Sequence, residues 1–464
     1  MKIHQSVKDA AEVFTRAGKQ VFLVGGAVRD LLRRGEAKDW DLATDAHPEE
    51  VIALFHRKQP GCFVVPTGIK HGTVTLHFKE LKMEVTTFRS ESGYSDSRRP
   101  DSVEFGVSIE ADLSRRDFTM NAAAYKLPSG PLVDPFGGRE DIKKRLIRTV
   151  GKAQERFSED GLRPVRALRF ASQLDFTVDE ALLAAIPDAL PFTAKVAAER
   201  IRDELDKILV SHKPSTALLL MEKTGLLELL IPELAACRGV RQDHIRGFSF
   251  HRFDVFDHSL LACDFAGSSK PDIRLAALFH DIGKPATAQT DPDGFRTFLR
   301  HEKESAALTR QILLRLRYSN AVIDKVCHLI EEHMFNYLES WSDAAVRRFV
   351  VRVGEENLND LFDLRRADNY GMAGAAPSRN LLLDFEDRIE KTLAAGRAFS
   401  IKDLAVTGSD LIALGIPPGK NMGIILRELF DTVLDDPALN TKEKMLEIAG
   451  KLNERYAVPQ THHI

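Results

Sequence analysis

The sequence predicts an α+β fold in two parts of different character. Up to about residue 150, alternating apolar runs such as CFVVP, GTVTLHF and LKMEVTTF are typical of strands, and helical segments lie between them. From residue 151 onward the apolar residues recur almost entirely at helical spacing. These patterns indicate a head with a mixed sheet and helices, followed by a mostly α-helical remainder.

The composition is that of a globular protein with about three or more domains in its 464 residues. The net charge of −3 does not indicate nucleic-acid binding by the protein as a whole, so an RNA-binding surface would need a local cluster of basic residues. Residues 143–169 form one, with nine Lys or Arg against three Asp or Glu, although a solvated helix face has the same composition.

Cysteine usage and hydropathy predict a cytoplasmic protein. The four cysteines are far apart and form no C-x-x-C pair, which is typical of reduced thiols. No apolar run approaches the roughly 20 residues of a membrane span, and the N-terminus lacks a signal-peptide core. No membrane association is therefore expected, and no stable protein partner is evident from the sequence.

A strand-turn-helix near the N-terminus is suited to phosphate binding. Val21–Val24 is predicted to be a buried strand, Gly25 and Gly26 a tight turn, and the following helix carries Arg29. Bare backbone N–H groups at the start of a helix bind phosphates. Gly25, Gly26 and Arg29 are therefore candidate nucleotide-binding residues.

A pair of carboxylates follows in the sequence Asp39-Trp40-Asp41. If this stretch is a strand, Asp39 and Asp41 lie on one face, and a divalent cation such as Mg²⁺ would relieve their repulsion. Glu84, on a later predicted strand, is a candidate third carboxylate, although one Glu on a strand is a weak signal. A phosphate cradle beside a Mg²⁺ site is the apparatus of nucleotidyl transfer.

Two polar segments follow in the head. Phe88 to Phe105 is predicted to be a mobile loop closed by a strand, because it is rich in Ser and contains Gly and Pro. The sequence RRDFTMN then supplies Arg116, Asp117 and Asn121. An arginine and an amide suit a triphosphate, and the aspartate would hold an arginine in place, although a surface ion pair is the simpler alternative.

The segment FSEDGLRPVRALRF places charged residues three apart at Asp160, Arg163, Arg166 and Arg169. On one regular helix, Asp160, Arg163 and Arg166 would share a face and Arg169 would turn away. Pro164 predicts that the helix either begins near this point or kinks. All four are candidate nucleotide-binding residues, and a salt-bridged helix face is the alternative interpretation of the row.

Asp160 and Arg163 have the chemistry to choose between nucleobases. C and A both present an amino group beside an acceptor nitrogen, whereas U and G present a keto oxygen there. A carboxylate accepts from the amino group and repels the keto oxygen, and an arginine donates to the acceptor. This pair is therefore suited to selecting CTP and ATP without a template.

A second chemical site is predicted downstream from His258, the adjacent His280 and Asp281, and the distant Asp368. This mixed nitrogen and oxygen set suits Mg²⁺ or a divalent transition metal better than structural zinc. Adjacent residues can both bind a metal only near a helix end, and Gly283 fits such an end.

Two further histidines, His301 and His333, are weaker candidates for a second metal or for phosphate binding at this site. A structural or surface role for them is the simpler expectation.

The stretch LVGGAVRDLLRRGEAKDWDLATD, with RRDFTMNA and the EDxxR pattern at 159–163, resembles the class II tRNA nucleotidyltransferases, which include CCA-adding enzymes and bacterial poly(A) polymerases. The resemblance implies a polymerase-β-type head and transfer of CMP and AMP from CTP and ATP to a tRNA 3′ end. It supports Glu84 as a third catalytic carboxylate beside Asp39 and Asp41. The segment 196–212 resembles the family's neck helix, and 404–426 resembles its tRNA-binding tail.

The His and Asp pattern resembles the HD-superfamily phosphohydrolases, which implies cleavage of 2′,3′-cyclic phosphates or phosphomonoesters. The expected domains are a nucleotidyltransferase head at 1–150, neck and body helices at 151–245, an HD domain at 246–372 and a helical tail at 373–464. An A-adding enzyme, a poly(A) polymerase, a phosphohydrolase with an RNA-binding head and a non-catalytic RNA-binding module are the alternatives.

Overall fold

The computed structural model describes residues 2–56, 62–92, 102–242, 252–267, 270–292, 296–374, 381–394 and 400–457. The chain divides into two compact units. The first unit comprises Met1–Arg238, Ser268–Arg274 and Gln311–Ser319, and the second comprises Gly239–Gly267, Leu275–Arg310 and Asn320–Ile464.

Strands and helices alternate in the first part of the first unit. In chain order they are α1 (Gln5–Arg16), β1 (Val21–Val24), α2 (Gly25–Arg34), β2 (Trp40–Thr44), α3 (Pro48–His56), β3 (Phe63–Gly68), β4 (Thr73–Phe78), β5 (Leu81–Thr87), β6 (Arg89–Ser92), β7 (Ser102–Phe105), α4 (Ile109–Ser114), β8 (Ala124–Lys126), β9 (Leu132–Val133), α5 (Gly138–Lys143) and β10 (Leu146–Ile147). Short 3₁₀ turns lie at Ile69–His71 and Thr119–Asn121.

Seven of the described strands form one mixed sheet in the order β3-β4-β5-β2-β1-β8-β9. In this sheet β2 and β5 run parallel, and each of the other neighbouring pairs runs antiparallel. The register places Asp41 of β2 between Val24 of β1 and Glu84 of β5. The centre of the sheet therefore brings the start of α2 close to the carboxylates.

The central strand β1 is buried on both faces. Because side chains alternate along a strand, Leu23 points into a core with Val28 and Leu42, whereas Phe22 points into a core with Phe88. The four consecutive apolar residues of β1 are thus explained by a hydrophobic core on each side of the sheet. A strand with one face exposed to solvent would instead alternate apolar and polar residues.

The rest of the first unit is mostly helical. Its elements are α6 (Ala153–Glu159), α7 (Arg163–Leu174), β11 (Thr177–Val178), α8 (Glu180–Thr193), α9 (Ala198–Leu209), α10 (Pro214–Lys223), α11 (Leu226–Leu230) and α12 (Pro232–Ala235). Strand β11 pairs with β10 in parallel. The predicted neck helix at 196–212 is α9.

The second unit is also mostly helical. Its elements, two of which extend into the first unit, are α13 (Val255–Phe265), α14 (Pro271–Phe279), α15 (Lys284–Thr287), β12 (Gln289–Thr290), β13 (Arg296–Thr297), α16 (His301–Arg315), α17 (Asn320–Glu332), α18 (Asp343–Val353), α19 (Leu358–Ala373), α20 (Leu381–Ala394), α21 (Gly408–Ala413), α22 (Lys420–Asp435) and α23 (Lys442–Ala457). Further 3₁₀ turns lie at Glu355–Asn357, Ile401–Asp403 and Pro437–Leu439.

The architecture confirms the predicted α+β head and helical remainder. The segment 88–105, predicted as a loop closed by a strand, contains the antiparallel pair of β6 and β7, in which Ser92 is opposite Ser102. The middle of this segment, 93–101, lies outside the described residues. In the part of the chain that the structure describes, no helix is long and apolar enough to cross a membrane.

Candidate functional site

The carboxylates of the head lie at the centre of the sheet. Asp39 immediately precedes β2, Asp41 is its second residue, and Glu84 is opposite Asp41 on β5. Burial raises the pKa of the Asp41 carboxyl to about 6, assisted by the charges of Glu84 and Asp39 and opposed by Arg116 and Arg29. The structure therefore brings together the three carboxylates that the sequence singled out.

These three side chains fit a hard divalent cation. A cation would stabilise the buried Asp41 carboxylate, whose pKa is raised by burial and by the charges of Glu84 and Asp39, and carboxylate oxygens are the donors that Mg²⁺ prefers. The ligand oxygens of Asp39, Asp41 and Glu84 do not all lie within 4.8 Å of one another. Among the described residues, the groups that meet this distance lie in the second unit.

The phosphate-binding turn predicted at Gly25 and Gly26 is the first turn of α2. Gly25 has a φ of +67°, and a Cβ there would lie 3.1 Å from Arg116 Nη1 and 3.4 Å from Asp41 Oδ2. A side chain would thus be strained and would fill the space between a guanidinium and a carboxylate. No side chain caps α2, so no capping group occupies its first N–H groups.

A cavity of about 480 Å³ opens beside this turn. The ten candidate nucleotide-binding residues all line it, together with Asp41. The residues that line the cavity are Gly25, Gly26, Arg29, Asp41, Glu91, Arg115, Arg116, Asp117, Asn121, Asp160, Arg163, Arg166, Arg169, Phe170 and Gln173. Six of these are arginines and four are carboxylates, so the cavity is suited to a polyanion.

Asp117 holds an arginine in place, as the sequence predicted, and the arginine is Arg166. The Asp117 carboxylate accepts from Arg166 Nε at 3.0 Å and Nη2 at 2.7 Å, and from Asn121 Nδ2 at 3.2 Å. Burial opposes the charge of Asp117, but Arg166 and the hydrogen bonds lower its pKa to about 2. Asn121 in turn accepts from Arg29 Nη1 at 3.0 Å, so these side chains form one network.

Asp160 lies in the turn before α7 rather than on the helix. It ends α6 in an extended conformation, and α7 begins at Arg163 with Pro164 in its first turn. The expectation that Arg169 turns away from the other three is wrong, because Asp160 precedes the helix and Arg169 lines the same cavity as Asp160, Arg163 and Arg166. Pro164 therefore marks the beginning of the helix and not a kink within it.

Asp160 is held from the neck helix α9. Its two carboxylate oxygens accept from Arg200 Nη1 at 3.1 Å and Nη2 at 2.8 Å, and Oδ1 also accepts from Leu162 N at 3.0 Å. The next residue, Gly161, packs closely against α8, since a Cβ there would lie only 2.3 Å from Phe192 O. The backbone and one arginine therefore fix the position of this carboxylate.

The neighbouring arginines are held by backbone carbonyls and by Glu204. Arg163 donates to Arg156 O at 2.9 Å and to Arg115 O at 3.1 Å. Arg169 Nε lies 2.6 Å from Glu204 Oε2, and its guanidinium lies 3.6 Å from the centroid of the Phe170 ring. Burial lowers the pKa of Arg169 to about 10, so the side chain stays charged at neutral pH.

Sequence reasoning missed several residues of this site. Phe170 and Gln173 follow Arg166 and Arg169 at helical spacing, and that periodicity would have found them. Arg200, on a separate helix, carries no signal in the sequence because its role depends on a tertiary contact with Asp160.

The second unit contains the four residues predicted to bind a metal. His258 Nε2 lies 2.9 Å from His280 Nε2, 3.2 Å from Asp281 Oδ2 and 3.3 Å from Asp368 Oδ1, and all four side chains are buried. His280 and Asp281 directly follow α14, and Asp368 lies late in α19, as expected. The structure thus brings the quartet together.

His301 and His333 lie beside the quartet, so the surface role offered as one expectation for them is wrong. His301 Nε2 lies 3.2 Å from Asp281 Oδ1, His333 Nε2 lies 3.9 Å from the same oxygen, and both side chains are buried. Neither is near the quartet in sequence, and α16 and the end of α17 bring them to it.

The charges of this cluster suit a cation. Burial opposes a charge on His280, but the neighbouring Asp281 and Asp368 raise its pKa to about 10. Burial and the charge of His280 lower the pKa of His333 to about 3. Neutral imidazoles together with carboxylates are a suitable donor set for a divalent metal.

Comparison with known proteins identifies the family. Three family models match: the Poly A polymerase head domain at 21–148, the probable RNA and SrmB-binding site of polymerase A at 175–238, and the HD domain at 251–373. A CCA-adding enzyme from Limosilactobacillus reuteri is 45% identical over 452 residues, which are 96% of each chain. The chain belongs to the CCA-adding enzyme family.

Further relatives span the same length. The CCA-adding enzyme of Levilactobacillus brevis is 33% identical over 445 residues, covering 95% of this chain and 96% of that protein. A crystal structure of the Bacillus stearothermophilus CCA-adding enzyme in complex with CTP matches with a TM-score of 0.72 and 28% identity, covering 98% of this chain and 99% of that chain. The resemblance to the class II tRNA nucleotidyltransferases is confirmed.

Replacing Asp117→Asn removes the charge partner of Arg166. Because the pKa of Asp117 is lowered from 3.8 to about 2, the carboxylate contributes about 2 kcal/mol to folding at pH 7. This contribution is present above pH 4 and is lost as the pH falls towards 2. We expect the stability difference between wild type and variant to fall to roughly half at pH 3, measured by urea unfolding at each pH.

Asp175→Asn is a matched control, since Asp175 pairs with Arg145 at the surface and its side chain is 92% exposed. Asparagine also tolerates the positive φ of this position. A constant difference for Asp117→Asn between pH 7 and pH 3 would contradict the assignment.

Proposed function

We propose that this chain adds CCA to tRNA 3′ ends, transferring CMP and AMP from CTP and ATP with Mg²⁺ and releasing pyrophosphate. The observation that carries the proposal is one cavity in which the Asp41 carboxylate, the N-terminus of α2 and the pair of Asp160 and Arg163 meet. The names of the similar CCA-adding enzymes support it.

In this proposal Asp39, Asp41 and Glu84 hold Mg²⁺. The bound cation would polarise the α-phosphate and lower the pKa of the attacking 3′-hydroxyl. The first N–H groups of α2, with Arg29 and Arg116, bind the triphosphate, which places the α-phosphorus beside the carboxylates.

Asp117 and Asn121 position the arginines that face the triphosphate. Asp117 receives two hydrogen bonds from Arg166, and Asn121 receives one from Arg29. These contacts fix the guanidinium planes before substrate binds, so less side-chain entropy is lost on binding.

Asp160 and Arg163 read the incoming base. Asp160 accepts from the amino group that C and A share, and Arg163 donates to the adjacent acceptor nitrogen. UTP and GTP would place a keto oxygen against the Asp160 carboxylate, which repels it. Arg169, stacked on Phe170, completes the wall of the cavity.

The four segments proposed from the sequence are the head (1–150), the neck and body (151–245), the HD domain (246–372) and the tail (373–464). The matches of the head, RNA-binding and HD models to 21–148, 175–238 and 251–373 support the order of the first three. The tail is proposed to contact tRNA at the turn after Gly415, where α22 begins at Lys420. With tRNA as substrate, the proposed location is the cytoplasm.

The HD site is proposed to hydrolyse 2′,3′-cyclic phosphates or phosphomonoesters with Mg²⁺ or a divalent transition metal. A cavity of about 340 Å³ reaches Asp281 and Asp368, and Lys284 and Arg365 line it. These cations would bind a phosphate group, and a bound metal would acidify a water molecule beside it.

The product of the reaction separates the proposed function from its rivals. With a tRNA transcript that lacks CCA, and CTP and ATP supplied separately and together with Mg²⁺, we expect two C residues and then one A. Gel analysis of the products would measure this. ATP-only addition to a -CC end would indicate an A-adding enzyme, a long A tract would indicate a poly(A) polymerase, and no addition would favour a phosphohydrolase with an RNA-binding head.

Asp39→Ala and Asp41→Ala should each lower nucleotide incorporation by at least about 100-fold, because the remaining carboxylates hold the metal poorly. Asp45→Asn is the control, since Asp45 lies just beyond the other end of β2 and accepts from Gln20 N at 2.8 Å. Incorporation at the wild-type rate by a folded Asp39→Ala variant would refute the assignment.

Arg200→Ala should weaken base selection. Without its two hydrogen bonds from Arg200, Asp160 can rotate, and we expect kcat/KM for CTP relative to UTP to fall about tenfold. The control is Arg202→Ala on the same helix, where Arg202 pairs with Asp203 instead. An unchanged CTP to UTP ratio in Arg200→Ala would show that Asp160 needs no support from α9.

A further inference from the structure

The face of the sheet that carries Asp41 is covered over only part of its width. Opposite residues of neighbouring strands point to the same face, so Val24 of β1 shares this face with Asp41, and so does Ala43 two residues later. Val24 and Ala43 belong to the core that contains Phe88, but the described members of that core include no residue of β3, β4 or β5. That core therefore does not cover the face over these three strands.

Strands β3, β4 and β5 alternate between a buried face and the face that carries Asp41. Val64, Leu76 and Val85 point into the larger core of the head. The residues between them point the other way, and Glu84 is among them, opposite Asp41. We call this second face of β3, β4 and β5 the outer face; it carries Phe63, Val65, Thr75, His77, Lys82 and Glu84.

One row across the outer face consists of Phe63, His77 and Lys82. The strand pairing sets His77 opposite Phe63 on one side and opposite Lys82 on the other. The rings of Phe63 and His77 are stacked, with 4.3 Å between their centroids and 9° between their planes. Phe63 lies on the edge strand β3 and is 49% exposed. The row therefore presents an aromatic stack with a cation beside it.

The row lies close to the proposed metal site of the head. Along β4 and β5 it is two residues away from the row that contains Thr75 and Glu84. With strands about 4.8 Å apart and residues about 3.4 Å apart along each strand, the Cα atoms of His77 and Phe63 lie about 8 Å and about 12 Å from that of Glu84. A nucleic-acid strand whose 3′ end reaches the carboxylates can therefore extend across this row.

Two explanations of the row differ in what they require. A cross-strand aromatic pair stabilises a sheet by itself and needs no ligand. A ring left half exposed beside a lysine, on the face that carries the proposed metal site, is instead a combination that binds single-stranded nucleic acid. The ring stacks on a base, and the ammonium group pairs with a phosphate.

We propose that Phe63, His77 and Lys82 bind the single-stranded 3′ end of the RNA that is extended. A base stacks on the exposed ring of Phe63, which His77 supports from the other side, and a phosphate of the same strand pairs with Lys82. The inference rests on the proposed function for the identity of this RNA as tRNA.

Stacking suits an acceptor whose last base changes during the reaction. In CCA addition the 3′ end carries first the base that precedes CCA and then C, so contacts to base edges would favour one step over another. Every base has a π-face, and stacking on Phe63 accepts all of them. The row holds the end of the strand, while Asp160 and Arg163 select the incoming nucleotide.

The test measures RNA binding by the full chain in the absence of nucleotides. Two tRNA transcripts are compared, one ending in a single-stranded -CC and one ending flush with the acceptor stem. Phe63→Leu keeps an apolar side chain on β3 but offers no ring, so we expect about tenfold weaker binding of the -CC transcript and unchanged binding of the flush transcript. Phe63→Tyr, which keeps the ring, should bind both as the wild type does.

Phe265→Leu is the matched control. Phe265 lies in the second unit, is 43% exposed and stacks on Tyr370 with 4.5 Å between the ring centroids. This variant should bind both transcripts like the wild type. Unchanged binding of the -CC transcript by Phe63→Leu, or an equal loss for both transcripts, would overturn the proposal.

Lys82→Gln changes an exposed residue, so it tests the row without disturbing the packing of the sheet. Loss of one phosphate contact should weaken binding of the -CC transcript and reduce the slope of log K against log salt concentration by about 0.7. Lys79→Gln is its control, because Lys79 on the same hairpin pairs with Asp9 of α1. A slope unchanged from wild type in Lys82→Gln would refute the phosphate contact.

Incorporation of CTP separates this inference from the proposed function. If the wild type extends tRNA, Phe63→Leu should raise KM for tRNA about tenfold and leave KM for CTP unchanged. An unchanged KM for tRNA would refute the row and leave CCA addition standing. If the wild type extends no RNA but Phe63→Leu still loses binding of the -CC transcript alone, CCA addition is refuted and the RNA-binding row stands.

Discussion

The placement of the carboxylates in the head depends on the parallel pairing of β2 with β5. This pairing sets Asp41 opposite Glu84, and the antiparallel pairing on the other side of β2 sets Asp41 opposite Val24, the residue before α2. One strand therefore places the carboxylates next to a helix N-terminus. Burial together with the charges of Glu84 and Asp39 raises the pKa of Asp41 to about 6, and a cationic ligand would compensate such a group of carboxylates.

A second layer of contacts organises the positive side of the cavity. Asp117 orients Arg166, and the buried Glu204 lies 2.6 Å from Arg169 and 3.8 Å from Arg166. These carboxylates offset the cost of burying guanidinium groups while leaving them beside the cavity. Most of the basic residues at 143–169 form ion pairs with nearby carboxylates, for example Arg145 with Asp175 at the surface. These pairs neutralise much of the positive charge that a continuous phosphate-binding surface would need.

The sequence predicted those parts of the molecule that local spacing encodes. The strand-turn-helix, the carboxylate at position i+2 and the His-Asp pair at a helix end all follow from the geometry of one segment, and the structure has them. Contacts between distant segments were not predictable: Arg200 reaches Asp160 across 40 positions, and His301 and His333 reach Asp281 from separate helices. The orientation of Arg169 could not be predicted from equal spacing alone, because Asp160 lies before the helix and Pro164 lies in its first turn.

The close packing of Gly161 against Phe192 O has a consequence for the evolution of substrate choice. The turn that carries Asp160 is pressed on the end of α8, and Gly161 O also accepts from Thr193 Oγ1 at 2.8 Å. Little room is left for the turn to slide, so a lineage that acquires a different base preference would have to exchange side chains at fixed backbone positions. Libraries for redirecting this enzyme would accordingly vary the residues around the turn and keep its glycine constant.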